Sequence, residues 1–153
     1  MHTVPAGPAL HIFGIELRTS NPEAARTIPP HWQRFGEQAV LTHIPGRLTD
    51  DVYAVYTHFT NAGRDNVGSY SLVIGAQVHP DTPLPAGMTR AVVPASARAV
   101  FAVEKGRFDQ VGAAWQDIWT RSDLDKTFVA DYEHYLPDGR INIMVGITGS
   151  PGA

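Results

Sequence analysis

No cysteine occurs among the 153 residues of the chain. This absence excludes disulfide bonds, thiolate nucleophiles and cysteine-ligated metal sites, and it is typical of proteins that work in a reducing compartment. We therefore expect the protein in the cytoplasm. The seven histidines include no pair at the i, i+4 spacing of a helical zinc site, so we also expect no metal.

The chain also lacks a basic stripe and a long apolar run. Its formal net charge is -3 and its Lys and Arg residues are scattered, which argues against direct contact with nucleic acid. No window approaches the roughly 18 consecutive apolar residues of a membrane-spanning helix, and the start of the chain does not read as a secretion signal. We therefore expect no membrane partner. A nucleophile elbow, a Walker loop and a dinucleotide-binding glycine pattern are also missing, so we expect no cofactor.

The length and the 43% hydrophobic content are those of a single domain with a real core. We predict that this domain spans residues 10–148. Residues 1–9 are predicted to be a flexible N-terminal segment and residues 149–153 a flexible tail, because both are rich in proline and glycine.

The first half of the chain reads as strand, helix, strand, strand. Leu10 to Thr19 is predicted as a strand in which Gly14 marks a close approach. We place a helix start at Thr27, because Ile28-Pro29-Pro30 would put prolines in the first turn, where a missing N–H costs nothing. Apolar residues at spacings of three or four extend this helix to about Leu41. Two β-rich runs then form a predicted hairpin: Val52 to Phe59 and Tyr70 to Val78.

The proline-rich segment 80–87 separates this half from a second one of similar order. A helix is predicted from Phe108 to Arg121, because large apolar residues recur there at helical spacing. Pro137-Asp138-Gly139 has the composition of a tight turn. The predicted strands of this half are Met88 to Val93, Arg98 to Val103, Phe128 to Leu136 and Ile141 to Ile147.

The two halves, residues 10–79 and 88–148, therefore read as a tandem repeat. Overlaying Val52 to Phe59 on Val129 to Leu136 sets Tyr56 in a position equivalent to Glu133. Two such units joined edge to edge predict an α+β fold, in which one antiparallel sheet carries two helices that flank a central cleft.

The run from Val129 to Leu136 places an acid between tyrosines. Alternation along a strand puts Asp131, Glu133 and Tyr135 on one face. A partly desolvated carboxylate beside aromatic rings attracts a positive partner, which predicts a lined pocket for a cation. The alternative, which this run alone leaves open, is that the acids lie on a wet outer face. We expect Asp131, at the near end of the strand, to be solvated.

Six motifs in order carry a resemblance to a known family. They are Ile28-Pro29-Pro30-x-Trp32-x-x-Phe35, Val52-Tyr53-Ala54-Val55-Tyr56, Tyr70-x-Leu72-x-x-Gly75-Ala76-x-Val78, Ala97-Arg98-Ala99-Val100-Phe101, Trp115-x-x-Ile118-Trp119 and Asp131-Tyr132-Glu133-x-Tyr135. From about Leu10 to Thr148 the chain resembles the GyrI-like, or AraC-type effector-binding, domain of transcription regulators.

This resemblance implies a small-molecule-binding protein whose cleft takes hydrophobic and often cationic compounds, with the broad specificity of multidrug binding. Glu133 matches the acid that the family often uses there. Family members commonly carry a fused DNA-binding segment, for which we expect no room here, so the chain would act as a stand-alone binder. The resemblance leaves open two alternatives, a hydrolase of cyclopropanoid or other electrophilic toxins that uses Glu133, and an inhibitor that binds a larger enzyme.

Glu133 is the residue that we predict to bind the ligand, and it would be the catalytic residue of a hydrolase. Aromatic side chains are the natural walls of such a cleft, although tryptophan at helical spacing more often belongs to a core. The predicted ligand-binding residues are Glu133, Tyr56, Tyr135, Trp115, Trp119, Trp32, Tyr70 and Phe101.

Overall fold

The computed structural model describes residues 1–148, and the predicted tail 149–153 lies outside the described residues. One antiparallel sheet of eight strands organises the fold, in the spatial order β1-β6-β8-β7-β3-β4-β2-β5. The strands are β1 His2–Val4, β2 Leu10–Ser20, β3 Val52–Thr57, β4 Ser69–Gln77, β5 Thr89–Val93, β6 Ala97–Val103, β7 Ala130–Tyr135 and β8 Ile141–Ile147.

The strand order is symmetric about the seam between β3 and β7. The two edge strands follow the same symmetry. Strand β1, which precedes the first half, pairs with β6 of the second half, and β5 of the second half pairs with β2 of the first. Across the seam Val55 pairs with Tyr132, and these two residues are also equivalent in the repeat overlay. A twofold axis through this pair therefore relates the two halves, and the α+β prediction is confirmed.

Three helices accompany the sheet: α1 Asn21–Glu37, α2 Val40–His43 and α3 Val111–Thr120, the last preceded by a 3-10 turn over Phe108–Gln110. None of them is long and apolar enough to span a membrane. Helix α1 is fixed to the sheet by His31, which is buried and whose Nε2 lies 3.0 Å from the carbonyl oxygen of Ile15. Burial lowers the pKa of this imidazole, so it is held neutral.

The predicted start of the first helix, at Thr27, is wrong. Helix α1 begins at Asn21, with Pro22 in its first turn, and it continues through Pro29 and Pro30. Each internal proline removes a backbone donor, which normally ends or kinks a helix. Here contacts with β2 on either side of the prolines offset that local cost: Thr27 Oγ1 lies 2.6 Å from Thr19 Oγ1 before them, and His31 contacts Ile15 after them.

Most other predicted elements begin and end within two residues of the observed ones. The predicted Pro137-Asp138-Gly139 turn closes the β7–β8 hairpin, with Gly139 at a positive φ of 96°. Within the segment that we expected to be flexible, His2–Val4 pairs with Arg98–Val100 as an edge strand. A three-residue strand has no periodicity to read, so only pairing with β6 defines it.

Both faces of the sheet are buried. On the face away from α1 and α3, side chains of β2, β5, β3 and β7 meet in one cluster that includes Ile12, Val93 and Tyr132. Strands distant in the sheet order share this cluster, so the sheet curves around it. The opposite face carries the helices and leaves space between them.

Gly14 marks a close approach, as the sequence predicted. It pairs with Gly75 of β4, and a Cβ on Gly14 would lie 2.1 Å from the carbonyl oxygen of Ile74. Neither strand can carry a side chain at this point. The glycine pair therefore brings the two backbones together beneath α1.

Candidate functional site

A cavity of about 700 Å³ lies between α1 and α3 above the centre of the sheet. Helix α1 contributes Ile28 and Trp32 to its wall, and α3 contributes Trp115 and Trp119. Residues of β3 and β7 form the floor. The volume is within the range of small-molecule sites, and the walls are mainly aromatic and aliphatic.

Glu133 lies at the floor of this cavity and is only 1% exposed. Its Oε2 accepts hydrogen bonds from the hydroxyl of Tyr56 and the indole N–H of Trp115, both at 2.7 Å. Its Oε1 accepts a third from the hydroxyl of Tyr135 at 2.5 Å. The carboxylate is thus held in one orientation by donors from β3, α3 and its own strand.

All three donors to Glu133 are uncharged. Burial raises the pKa of the Glu133 carboxyl, while the three hydrogen bonds act in the opposite direction. Within residues 1–148 no cationic side chain forms an ion pair with it. Burial and the nearby carboxylate also raise the pKa of Tyr56 and Tyr135, so both hydroxyls remain protonated donors.

The repeat symmetry explains why Tyr56 reaches Glu133. In the register of the seam Tyr56 pairs with Asp131 and Ala54 pairs with Glu133, so Tyr56 is a diagonal neighbour of Glu133 on the same face. Diagonal neighbours are within reach of long side chains. Because Ala54 is small, the tyrosine and the glutamate can meet over it.

Edge-to-face aromatic contacts shape the walls. Trp32 packs against Tyr135 with ring centroids 5.2 Å apart, and Trp115 packs against Tyr56 at 5.3 Å. Tyr70 adds a ring 5.6 Å from Tyr56 and is buried, which raises its pKa to about 12. Such contacts hold the rings in defined orientations, so the cavity walls are largely preformed.

Two aromatic residues form the mouth of the cavity. Trp119 is 41% exposed and lies one turn beyond Trp115, with ring centroids 6.0 Å apart. Phe108 is 61% exposed and stacks on Tyr135 at 5.9 Å. Phe108 was not predicted as a site residue, because helical spacing placed it on the core stripe, whereas the 3-10 turn directs it outward.

Phe101 is the one predicted site residue that does not line the cavity. It packs in the cluster beneath α3, and the guanidinium of Arg121 lies 5.3 Å from the centre of its ring. Strand alternation alone could not distinguish the space under a helix from the space between helices. Tyr56, Tyr70, Tyr135, Trp32, Trp115 and Trp119 all line the cavity with Glu133.

Asp131 is not solvated, contrary to the expectation from sequence. It is 6% exposed and lines the same cavity as Glu133. Its Oδ1 accepts the backbone N–H of Gly146 at 2.7 Å and lies 4.0 Å from Nη1 of Arg98. Burial raises the pKa of Asp131 to about 6, partly offset by the Gly146 N–H and by Arg98. Gly146 of β8 and Arg98 of β6 thus cover a position that the sequence placed at a strand end.

Lys126 is the cationic side chain among the cavity-lining residues that the structure describes. Its Nζ donates to the carbonyl oxygen of Arg121 at 2.5 Å. In residues 1–148 no group of three or more His, Asp and Glu side chains is arranged to hold a metal ion. The cavity thus combines two buried acids with an aromatic lining.

Comparison with known proteins places the chain among effector-binding proteins. A relative from Bacillus subtilis (strain 168), the putative transcriptional regulator protein YobU, is 28% identical over 146 residues, which cover 88% of this chain and 89% of that protein. This relative is thus named for transcription regulation.

Solved structures share the fold. The integron cassette protein VCH_CASS2 from the mobile metagenome of Vibrio cholerae superposes with a TM-score of 0.72 at 19% identity, covering 97% of both chains. The structure of SAV2435 bound to tetraphenylphosphonium superposes with a TM-score of 0.78 at 15% identity, covering 97% of this chain and 95% of that one.

The family model described as "Cass2: Integron-associated effector binding protein" matches residues 6–147, nearly the whole described chain. The match and the shared architecture confirm the resemblance to GyrI-like domains that the sequence motifs indicated. The chain belongs to the Cass2 family of integron-associated effector binding proteins, within the GyrI-like group.

Proposed function

We propose that this protein binds a hydrophobic cation in the cavity between α1 and α3, with Glu133 as the counter-charge. The observation that carries the proposal is the environment of Glu133, a carboxylate 1% exposed that faces an aromatic cavity and is held only by neutral donors. A buried acid without a cationic partner is unfavourable as an anion. A ligand cation would supply the missing charge.

The aromatic walls favour the same ligand class. A cation over the face of a tyrosine or tryptophan gains about 0.5–2 kcal/mol, the larger value when water is excluded. Trp115 and Tyr135 donate to the Glu133 carboxylate, and Trp32 packs on Tyr135 in the same cavity. A ligand with bulky apolar groups around a diffuse positive charge would therefore fit both the walls and the acid.

The structure of the solved neighbour SAV2435 is of that protein bound to tetraphenylphosphonium, a cation of this description. Its sequence identity of 15% establishes shared fold and no more. The likeness supports the choice of phosphonium compounds as probes. The hydrolase and inhibitor alternatives gain no specific support from the described residues, and we do not propose them.

The decisive test compares two ligands of similar shape and different charge. Methyltriphenylphosphonium is a cation, and triphenylphosphine oxide is its neutral counterpart. We expect Glu133→Gln to raise the Kd of the cation at least about 30-fold, because truncating one partner of a buried charge pair costs about 2 kcal/mol or more. The Kd of the oxide should rise far less. Isothermal titration calorimetry measures both values.

Glu37→Gln is the matched control, since it removes the same charge from an exposed position near the end of α1. It should leave both Kd values close to those of the wild type. Equal losses for the cation and the oxide in Glu133→Gln would refute the counter-charge role.

A further inference from the structure

The two oxygens of Asp131 have different surroundings. Oδ1 accepts a hydrogen bond from the backbone N–H of Gly146 and lies 4.0 Å from Nη1 of Arg98. Among residues 1–148 no donor lies within hydrogen-bond distance of Oδ2, and this atom is not one of the fully enclosed polar atoms that lack a partner. Asp131 lines the cavity, so its free oxygen opens onto the ligand space.

The charge around Asp131 is already balanced, unlike that around Glu133. Arg98 is itself buried, and its guanidinium is held by the carbonyl oxygens of Ala130 and Pro94. Its positive charge lies 4.0 Å from Asp131, and Lys126 acts on the same carboxyl. A second full cation at this position would meet two positive side chains. An uncharged donor would meet only the free lone pairs of Oδ2.

The spacing of the two acids is set by the strand. Asp131 and Glu133 are separated by one residue of β7 and point to the same face, which places their backbone positions about 7 Å apart. Both line one cavity, so a single ligand can reach both.

We propose that Asp131 is a second ligand-contacting residue, which accepts a hydrogen bond from an uncharged O–H or N–H group of the bound cation. This inference rests on the proposed function and specifies its ligand class. The preferred ligand is a hydrophobic cation with a neutral hydrogen-bond donor about 7 Å from its charge. Glu133 selects the charge, and Asp131 selects the donor.

The test uses two tetraarylphosphonium probes that differ in one group. One carries a 4-hydroxymethyl substituent on a phenyl ring, and the other carries a 4-ethyl substituent of the same size that cannot donate. The measured quantity is the ratio of their Kd values. Comparing this ratio between protein variants cancels the intrinsic difference in hydration of the two probes.

Asp131→Asn is the test variant, because an asparagine oxygen can still accept from Gly146 while its NH₂ group replaces the free oxygen. We expect the preference for the hydroxymethyl probe to fall about tenfold in this variant, because losing a hydrogen bond to a charged acceptor usually weakens binding by about that factor. Glu133→Gln is the contrasting variant. It should weaken both probes by similar factors and so preserve the ratio.

If the ratio of the two Kd values is the same in the wild type and in Asp131→Asn, and Glu133→Gln still weakens both probes, the role of Asp131 is refuted. The proposed function then stands. Failure of both cations to bind the wild type overturns the proposed function as well. If Asp131→Asn does not fold, the wild type decides the question. The 4-hydroxymethyl probe should then bind at least about fivefold tighter than its 2-hydroxymethyl isomer, whose donor lies beside the charge, and equal affinities would refute the role of Asp131.

Discussion

Asp131 and Glu133 show how two acids on one face of one strand acquire different roles. Both are buried, and burial raises the pKa of each. Asp131 has a cation 4.0 Å away, whereas the donors around Glu133 are a tryptophan and two tyrosines. The first acid thus has a cationic partner within the protein, whereas the described residues give the second only neutral donors.

Because the pKa of Asp131 is raised, we expect the free energy of unfolding to depend on pH. An acid whose folded pKa exceeds its unfolded value favours the folded state while it is protonated, and this contribution is lost as the pH rises through the folded pKa. A rise from 3.8 to about 6 corresponds to about 3 kcal/mol. We therefore expect Asp131 to lower the free energy of unfolding by this amount between pH 4 and roughly pH 6.5.

Urea denaturation of the ligand-free wild type and of Asp131→Asn across that window measures the effect. Asparagine does not titrate, so the difference between the two proteins should change with pH in favour of the variant. Parallel stability profiles would show that Asp131 has an ordinary pKa in the folded state.

At the scale of elements, the first helix shows where local rules yield to tertiary contacts. Ile28-Pro29-Pro30 reads locally as a helix start, yet α1 begins at Asn21, six residues before the predicted start at Thr27, and its first-turn proline is Pro22. The contact of His31 with Ile15 and the packing of Trp32 on Tyr135 hold the segment beyond the prolines. A helix fixed on both sides of a break tolerates the lost hydrogen bonds.

The close pairing of β2 and β4 at Gly14 and Gly75 gives a second prediction at this scale. Gly14→Ala places a Cβ 2.1 Å from the carbonyl oxygen of Ile74, so the strands must separate. We expect a loss of about 3 kcal/mol in the free energy of unfolding, as for severe overpacking. Gly36→Ala in α1 is the matched control, because nothing lies within 4 Å of the added methyl.

The control should be neutral or stabilising by up to about 1 kcal/mol, since alanine favours a helix over glycine. Thermal and urea unfolding of the two variants measure the difference. Similar stabilities for both variants would mean that β2 and β4 separate at little cost.

At the scale of the whole molecule, the cavity exists because two halves meet. Strands β3 and β7 form the seam, and each half supplies one helix and one cluster of aromatic residues. Glu133 comes from the second half, and its partner Tyr56 comes from the first. A ligand seated there contacts both halves at once, so binding stabilises the complete fold.

Ligand binding should therefore raise the melting temperature. A ligand that binds only the native state adds about 2.7 kcal/mol at a concentration of 100 times its Kd. For a chain of this size that corresponds to an increase of about 5–10 °C. Differential scanning fluorimetry with methyltriphenylphosphonium measures the shift in the wild type and in Glu133→Gln. An equal shift in both proteins at the same ligand concentration would contradict the role of Glu133.

The sequence by itself determined the α+β class, the order of the longer strands and helices, and the face that Glu133 shares with Tyr135. These features depend on local periodicity, on turn residues and on motif order, all of which can be read along the chain. The overlay of the two halves also anticipated the relation between Tyr56 and Glu133, because an even offset preserves the face of a strand.

Only the tertiary structure decided which neighbours cover each side chain. It buried Asp131 against Arg98 and Gly146, placed Phe101 beneath α3 and directed Phe108 to the mouth of the cavity. Burial and charge balance depend on segments far apart in the chain, and no local pattern encodes them. The difference between an acid already paired and one open to a ligand is a property of the folded protein.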